Sequence, residues 1–541
     1  MKPISRFFTL LLCLVLLFFI SCFSPDGNSG KKIFNYNEPS GISSLDPAFA
    51  RDQSCIWAIT QLFNGLVQLD DKLNVIPCIA RSWEISPDGI TYTFHLRNDV
   101  FFQDDSLFLN GRGRKVVAED FKYSFQRIIS PEVLSSGAWI FKHLKKDSAL
   151  IARNDSTFVI QLDSPFMPFA GLLTMQYCSV VPKEVVEHYG KDFRIHPVGT
   201  GPFHLKLWKE NVKIILVKNP SYFESINGLT LPFLDAVTIS FLANRESAFL
   251  EFLQGKIDFI SGIDGAYKDR LLTKQGQLQS MYQNKFSMQV EPYLNTEYLG
   301  FLMDSDPANP LLKKEVRQAI NFGFDRSKMI SFLRNNIGIP GTAGFVPGGL
   351  PGGDTNPIKG YTYNPEKTKQ LLIKAGYPGG NGLPEMTLAI TPPYVDYCEF
   401  IQSQLAESGI KIKLETNREG ANRELVAKSK LKFFRGSWIA DYPDAENYLA
   451  LFYSKHFTPK GPNYTHFSNK KYDEYYESSL AETDENKRYD LYHKMDSLIT
   501  DEAPFSILYY DQSVRLIHNS IEGLNSNPMN LLNLKSVKKL D

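Results

Sequence analysis

The sequence predicts a mixed α/β fold with several interleaved units, and three observations support this prediction. Segments with strand-like alternation and segments with helix-like spacing follow one another along the chain. The 541 residues exceed the size of one ordinary domain. Aromatic residues make up 13% of the composition, enough for a large core and for a pocket lined by rings. The formal net charge is zero, so no basic excess indicates a nucleic-acid partner.

The first residues of the chain predict a signal peptide over 1–21. Lys2 and Arg6 precede an apolar run over 7–20, which is too short to span a bilayer and suits a signal-peptide core. The run ends in Ser21-Cys22, which resembles the lipobox of bacterial lipoproteins, although a phenylalanine replaces the usual leucine at position 19. The resemblance implies lipidation of Cys22 followed by a flexible tether over 22–32, whereas the alternative is ordinary cleavage with Cys22 as a bystander.

The segment 80–127 contains a clear strand and a clear helix. Strict alternation over 90–97 predicts a half-buried strand between turns at Asp88-Gly89 and Asn110-Gly111. Glu119 and Asp120 then place negative charge in the first turn of a helix, where the helix dipole favours it. The helix is expected to end before Pro131 and to bury one face, formed by Phe121, Phe125, Ile128 and Ile129.

Further elements are predicted along the rest of the chain. Gly- and Pro-rich surface loops are expected at 347–357 and 377–384. Pro443 disfavours helix at the residue before it, and Asp444 can cap the helix that follows, so Asp441 is expected to stay in a loop. Alternation predicts a strand over 212–217, and apolar spacing predicts helices over 247–253, 315–324, 364–375, 472–480 and 487–499.

The cysteines and the histidines do not indicate a metal site. Beyond Cys22 the cysteines are widely spaced and form no Cys-x-x-Cys pair, so either disulfides or buried free thiols are possible. The histidines are scattered, without the His-Glu-x-x-His pattern of zinc proteases. No metal and no cofactor is therefore expected. The four cysteines in question are Cys55, Cys78, Cys178 and Cys398.

No catalytic constellation stands out. The sequence lacks Gly-x-Ser-x-Gly, and the glycines of 199–204 lack the third member of a dinucleotide fingerprint. Asp441, Asp444 and Glu446 could serve glycoside hydrolysis as paired acids, but a ligand salt bridge plus a helix cap is the simpler interpretation. The residues therefore give no indication of an enzyme.

Several separated motifs together resemble family 5 of the bacterial extracytoplasmic solute-binding proteins, the oligopeptide- and dipeptide-binding lipoproteins of ABC importers. The resemblance covers essentially the whole chain after the signal peptide, and the order of the motifs makes chance agreement improbable. The motifs are Ser-Leu-Asp-Pro at 44–47, Leu-Phe-Asn-Gly-Leu at 62–66, the segment 80–127, Val-Gly-Thr-Gly-Pro-Phe at 198–203, Lys-Asn-Pro-Ser-Tyr-Phe at 218–223, Gly-Lys-Ile-Asp at 255–258, Val-Arg-Gln-Ala-Ile-Asn at 316–321 and Trp-Ile-Ala-Asp-Tyr-Pro-Asp at 438–444.

The resemblance implies a two-lobed periplasmic-binding-protein clamshell of type II with an additional α/β domain. The lobes hinge shut on a ligand. The additional domain is expected over 67–189. Lobe I is expected to combine 33–66, 190–285 and 505–541, and lobe II is expected over 286–504.

The resemblance also implies which residues hold the ligand. Asp441 would pair with the α-ammonium of a peptide, and the backbone of a loop over 51–54 would pair with the peptide main chain. The predicted ligand-binding residues are Asp441, Trp438, Arg435, Gln53, Ser54, Tyr509 and Trp139.

The implied function is the capture of short peptides for an ABC permease, by a monomer in the periplasm or on the outer face of the cytoplasmic membrane, anchored to the membrane through Cys22. The alternative is the same fold with another ligand, such as a nickel chelate, haem, an oligosaccharide or a murein peptide. Such ligands need not carry the ammonium that Asp441 would bind.

Overall fold

The computed structural model describes residues 30–146, 148–265, 267–351 and 358–540. The predicted signal peptide, Cys22, most of the tether and part of the loop at 347–357 lie outside the described residues. In chain order the strands are β1 (Ile33–Asn37), β2 (Val67–Leu69), β3 (Val75–Pro77), β4 (Ala80–Ile85), β5 (Thr91–Leu96), β6 (Leu150–Asn154), β7 (Thr157–Gln161), β8 (Phe203–Lys209), β9 (Lys213–Lys218), β10 (Ser225–Ile226), β11 (Leu229–Thr230), β12 (Ala236–Ser240), β13 (Phe259–Ser261), β14 (Phe286–Phe301), β15 (Ile339–Pro340), β16 (Met386–Ile390), β17 (Ile412–Thr416), β18 (Phe433–Ile439), β19 (Phe505–His518), β20 (Ile521–Glu522) and β21 (Lys538–Lys539).

Helices of very different length pack around these strands. Within the described residues no helix combines the length and the apolar character that a membrane crossing requires. In chain order the helices are α1 (Gln53–Leu62), α2 (Ala118–Ile129), α3 (Phe169–Leu172), α4 (Lys183–Tyr189), α5 (Arg245–Leu253), α6 (Lys268–Leu271), α7 (Lys314–Phe322), α8 (Arg326–Arg334), α9 (Pro365–Lys374), α10 (Val395–Glu407), α11 (Glu419–Ala427), α12 (Glu446–Leu449), α13 (Lys470–Ala481) and α14 (Glu485–Glu502).

The largest sheet is mixed and has eleven strands, in the order β17-β16-β18-β14-β19-β13-β1-β12-β9-β8 with β15 beside β19. The two longest strands, β14 and β19, pair along nearly their whole length at its centre. Their register shifts between Pro292 and Thr296, which interrupts the ladder there. The predicted boundaries at 286 and 505 fall at the starts of these two strands, and the division into lobes stays a prediction.

The segment predicted as the additional domain contains a separate sheet of four strands in the order β4-β5-β7-β6. Tyr92, Phe94 and Leu96 of β5 are buried, which confirms the predicted alternation. The hydrophobic core beneath this sheet is continuous with the core around β1 and α1. A largely buried ion pair also joins these two regions. Arg127 Nη1 donates to Asp46 Oδ1 at 2.8 Å.

The helix predicted after Asn110-Gly111 is α2, and its apolar face is nearly the predicted one. Phe121, Phe125 and Ile128 are buried, but Ile129 is 42% exposed, so its predicted burial is wrong. Ile129 lies one residue beyond Ile128, which rotates it by about 100° to the edge of the face. Asp120 also makes direct hydrogen bonds at the start of α2. Its carboxylate accepts from Val117 N at 2.9 Å and from Arg114 Nη2 at 2.6 Å.

The other predicted elements are present with small shifts at their ends. The strand expected over 212–217 is β9, and Val212 lies just before it and is 46% exposed. The amide oxygen of Asn364 accepts from Lys367 N at 2.9 Å and begins α9, as its position before Pro365 predicts. The remaining predicted helices are α5, α7, α13 and α14.

The four cysteines within the described residues are free and buried, so the structure contains thiols rather than disulfides at Cys55, Cys78, Cys178 and Cys398. Burial raises the pKa of Cys78 and of Cys398 to about 12. Because the thiolate is the reactive form, such thiols react slowly.

We therefore expect native protein that begins at residue 30 to leave a thiol reagent such as Ellman's reagent almost unreacted. The same protein in guanidinium should release the colour of four thiols without a reductant. A lower count that rises to four only after reduction would contradict the free thiols.

Candidate functional site

Two adjoining chambers form a cleft in the middle of the molecule. The smaller one has a volume of about 410 Å³, and because Asp441 lies in its wall we call it the Asp441 chamber. The other, the large chamber, has a volume of about 710 Å³. Gln53, Trp57 and Tyr293 line both, so the two chambers are neighbouring parts of one cleft.

The Asp441 chamber is assembled from distant parts of the chain. Its wall includes Arg51 and Gln53 near the start of α1, Trp139 and Tyr177 from the segment of the additional domain, and Asp441 from the loop after β18. A cavity where distant parts of the chain meet is a common place for a small ligand.

Asp441 lies in a loop, as its place before Pro443 predicts. Its N–H donates to Asn447 Oδ1 at 3.3 Å, and Asp444 Oδ1 accepts from Glu446 N at 2.9 Å at the start of α12. These two contacts fix the loop from the protein side. The side chain of Asp441 is left exposed towards the chamber.

The carboxylate of Asp441 has no ion-pair partner among the residues that the structure describes. It is exposed to the water of the cleft, yet protein surrounds it on the other sides. This burial raises the pKa of Asp441 above its usual range, and a hydrogen bond with the Asn447 side chain only partly opposes the shift. An unpaired carboxylate in a confined chamber is ready to accept a cation from a ligand.

Trp139 and Gln53 also line the Asp441 chamber, Trp139 with a partly exposed ring and Gln53 from the first turn of a helix. Trp139 is 38% exposed, and its ring centroid lies 6.2 Å from that of Tyr442 beside Asp441. Gln53 and Ser54 were expected in a loop, and that expectation is wrong because both belong to the first turn of α1. Ser54 lines the large chamber.

Arg435 has protein partners inside the sheet. It lies on β18 opposite Leu299 of β14, and one of its Nη atoms donates to Glu297. The guanidinium also stacks on Tyr394, 3.3 Å from the ring centroid. Burial alone would lower the pKa of Arg435, but the carboxylate of Glu297 outweighs it and raises the pKa above its usual value. The predicted contact of Arg435 with ligand stays a prediction.

Trp438 and Tyr509 also bond to the protein. Trp438 Nε1 donates to Asn447 Oδ1 at 2.9 Å, so this indole supports the amide that holds the Asp441 loop. Tyr509 is 2% exposed on β19, and its hydroxyl accepts from Arg334 Nη1 at 2.8 Å. Neither side chain is part of the chamber walls described above, and their roles in ligand binding also stay predictions.

Several chamber residues were not singled out from the sequence. Tyr293 lies in the register break between β14 and β19, where the interrupted ladder leaves it at the junction of the two chambers. Glu38 and Arg245 line the large chamber, and burial raises the pKa of Glu38 to about 7 although Arg245 opposes the shift. No local sequence pattern marks these residues: Tyr293 lies inside β14, Glu38 follows β1 and Arg245 begins α5.

Two halves of one sheet, joined by long crossing strands around a lined cleft, define a two-lobed ligand-binding protein. The sequence comparison identifies the family. The chain belongs to the bacterial extracellular solute-binding proteins of family 5, because the sequence model of the family's middle part matches residues 74–459. The family is extracellular, which supports the export that residues 1–21 predict. Its members share the binding of solutes.

Individual relatives agree with this assignment. The chain is 26% identical over 452 residues to the glutathione-binding protein GsiB of Shigella flexneri, covering 82% of each chain. The periplasmic binding protein DppA of Helicobacter pylori, in complex with the peptide STSA, is 25% identical with a TM-score of 0.74, over 94% of this chain and 98% of that one. HbpA2 of Haemophilus parasuis superimposes with a TM-score of 0.81 at 22% identity, over 94% and 99% of the two chains. The predicted type II clamshell is thereby confirmed.

Proposed function

We propose that this protein is the substrate-binding component of a peptide ABC importer. It captures short peptides between its lobes and delivers them to a membrane permease. The single observation that carries the proposal is the unpaired carboxylate of Asp441 in a confined chamber, which suits the α-ammonium of a peptide. The peptide complex of DppA and the glutathione-binding name of GsiB support a peptide as the ligand class.

The decisive experiment is the identification of whatever co-purifies with the protein. Native mass spectrometry of freshly purified protein should show added masses, and denaturing extraction should release short peptides that tandem mass spectrometry can sequence. The matched control is the Asp441→Asn variant, purified in parallel, which should carry much less peptide. Recovery of a haem, a metal chelate or a sugar in place of peptides would refute the proposal.

The pH dependence of binding provides a second check. The ligand ammonium binds only the ionised carboxylate, so affinity should fall as the pH falls through the pKa of Asp441, which lies above the ordinary 3.8. Affinity should also fall above about pH 8, where the peptide ammonium loses its proton. Isothermal titration calorimetry from pH 4 to pH 9 should give this bell shape. In Asp441→Asn the remaining weak binding should lose the acid limb, and a wild-type profile that is flat at acid pH would contradict the anchor role.

We further propose that the exported chain is held at the membrane by a lipid on Cys22. The Ser21-Cys22 sequence after the apolar run supports this step. Wild-type protein is expected in the membrane fraction, and Cys22→Ala is expected to be retained with its signal peptide or released without lipid. Palmitate labelling checks the lipid directly. Unlabelled wild-type protein in the soluble fraction would indicate ordinary cleavage.

A further inference from the structure

The large chamber beside the Asp441 chamber contains acidic side chains that no cation of the protein neutralises. Its ionisable lining consists of Glu38, Asp52, Asp511 and Arg245. Asp511 is already paired with Arg334 on the protein side. Within the described residues, Glu38 and Asp52 have no ion pair. Two acids are therefore available in this chamber, and together they attract a cation.

Arg245, the one cation of the lining, only partly offsets this negative charge. Its side chain is 59% exposed at the start of α5, and its Nε lies 3.7 Å from Asp264 Oδ2. In the part of the chain that the structure describes, it forms no ion pair with Glu38. Because water screens an exposed charge that already has an acidic neighbour, Arg245 leaves the chamber with a negative balance.

The backbone of Glu38 is fixed at the wall of this chamber. Glu38 directly follows β1, and its N–H donates to Ser240 O at 2.9 Å. Its carbonyl oxygen accepts from Gly41 N at 3.0 Å, which closes a tight turn. Among the described residues, its carboxylate has no hydrogen-bond partner. A carboxylate without a partner on a fixed backbone is prepared to accept hydrogen bonds from a ligand.

A buried hydroxyl at the same chamber also lacks a partner. Ser513 of β19 is 7% exposed and lines the large chamber. Its buried Oγ makes no hydrogen bond within the described ranges. A buried polar group without a partner is unfavourable, and a ligand with several N–H donors can supply one. This observation is independent of the charges, and it also indicates a polar ligand.

The aromatic part of the wall suits the apolar stem of a long side chain. Trp57 and Phe259 line the chamber with ring centroids 5.8 Å apart, and Tyr293 lies at its junction with the Asp441 chamber. Lysine and arginine carry a cation on an apolar stem, and ring faces attract cations. A sphere with the volume of the large chamber is about 11 Å across, which leaves room for such a side chain together with water.

We propose that the large chamber binds the cationic side chain of a lysine or arginine of the bound peptide, with Glu38 and Asp52 as its acceptors, and makes this protein selective for basic peptides. Because Gln53, Trp57 and Tyr293 line both chambers, a side chain of a peptide anchored at Asp441 can enter the large one. This inference rests on the peptide-binding function proposed above and names the class of peptides.

The test uses ligand-free full-length protein and three libraries of tri- to pentapeptides with free termini. Each library places one residue at every position in turn among small uncharged residues: lysine, norleucine, which keeps the stem of lysine without its charge, or glutamate. Retention is measured by size-exclusion chromatography followed by mass spectrometry. Wild-type protein should retain lysine peptides at least about tenfold better than norleucine peptides, because one charge-assisted hydrogen bond contributes that much or more. Glutamate peptides should be retained least. The double variant Glu38→Gln, Asp52→Asn should retain lysine and norleucine peptides equally.

Proton release gives a second signature of the Glu38 contact. Burial raises the pKa of Glu38 to about 7, so near pH 7 about half of the ligand-free protein carries a proton there. A bound cation favours the ionised form, and the proton passes to the buffer. Calorimetry at pH 7 in two buffers of different ionisation enthalpy should show more proton release with a lysine peptide than with its norleucine analogue. The charged and titratable groups near Glu38 are Arg245 of α5, Asp52 before α1, Asp511 of β19 and Tyr36 of β1.

Each other outcome overturns a specific statement. Equal retention of lysine and norleucine peptides by the wild type, or an unchanged lysine preference in the double variant, would overturn the cation site while leaving the peptide function intact. Retention of no library by the wild type would overturn the peptide function itself. The matched control is Glu132→Gln with Asp155→Asn, because both acids are exposed and lie outside both chambers. Both double variants should keep the melting temperature of the wild type, and the comparison of lysine with norleucine on wild-type protein needs no variant.

Discussion

The Asp441→Asn variant is expected to bind peptides at least about tenfold, and up to about a hundredfold, more weakly than the wild type. A charge-assisted hydrogen bond contributes about 1.5–3 kcal/mol, and each 1.4 kcal/mol is a factor of ten in affinity. The amide of asparagine keeps the size of the side chain but removes the charge that pairs with the ligand ammonium. Isothermal titration calorimetry with a peptide identified by co-purification measures the effect directly.

Two controls separate loss of this contact from general damage. N-acetylation of the peptide should weaken binding to the wild type as much as Asp441→Asn does, and should cost little more in the variant. Asp155→Asn, which changes an exposed aspartate outside both chambers, should leave binding unchanged. The ligand-free Asp441→Asn protein should be at least as stable as the wild type, since it no longer holds an unpaired, partly desolvated charge. Undiminished affinity for free-amine peptides would remove Asp441 from the site.

Replacement of Arg435 by methionine is expected to lower the free energy of unfolding by about 3–5 kcal/mol, the usual result of removing one partner of a buried ion pair. The side chains of Arg435 and Glu297 are only 11% and 4% exposed. Without the guanidinium, the Glu297 carboxylate is left buried with Asn295 Nδ2 at 3.1 Å and the hydroxyl of Tyr394 as hydrogen-bond donors. Urea unfolding followed by circular dichroism measures the change.

The double replacement of Glu297 and Arg435 by leucine should recover most of the lost stability, because no buried charge then remains. A matched control is Lys183→Met, which breaks an exposed pair with Glu187 and should change stability by less than about 1 kcal/mol. The predicted ligand role of Arg435 is tested by the same variant. Unchanged stability together with lost peptide binding would show that Arg435 binds the ligand rather than stabilising the sheet.

Local patterns predicted much of the fold because the physics that forms these elements is local. The alternation in β5 and the apolar spacing of α2 each describe a face, and each element buries that face except at Ile129. Pro443 and Asp444 act within a few residues, so the loop position of Asp441 could be inferred from the chain alone.

The candidate site was only partly predictable, because its parts come together through folding. Asp441 and Trp139 were predicted as ligand-binding residues, and they lie in one chamber wall although about 300 residues separate them in the chain. Tyr177 and Tyr293 carry no sequence signal for that chamber, since nothing near them in the chain is unusual, and the resemblance indicated Arg51 only as part of the loop 51–54. Arg435, Trp438 and Tyr509 were chosen by resemblance, and the structure gives each of them a protein partner.

The sequence by itself determined the class of protein and the local elements: the mixed α/β fold, the family motifs in their order, and a carboxylate kept in a loop at Asp441. Only the tertiary structure decided which charged side chains form ion pairs within the protein and which stay unpaired and available to a ligand. Glu297 pairs with Arg435 across two strands, whereas Asp441 and Arg51 face the same chamber unpaired. The reason is physical, because a charge acts over the few ångströms around it, and only folding decides which groups lie within that distance.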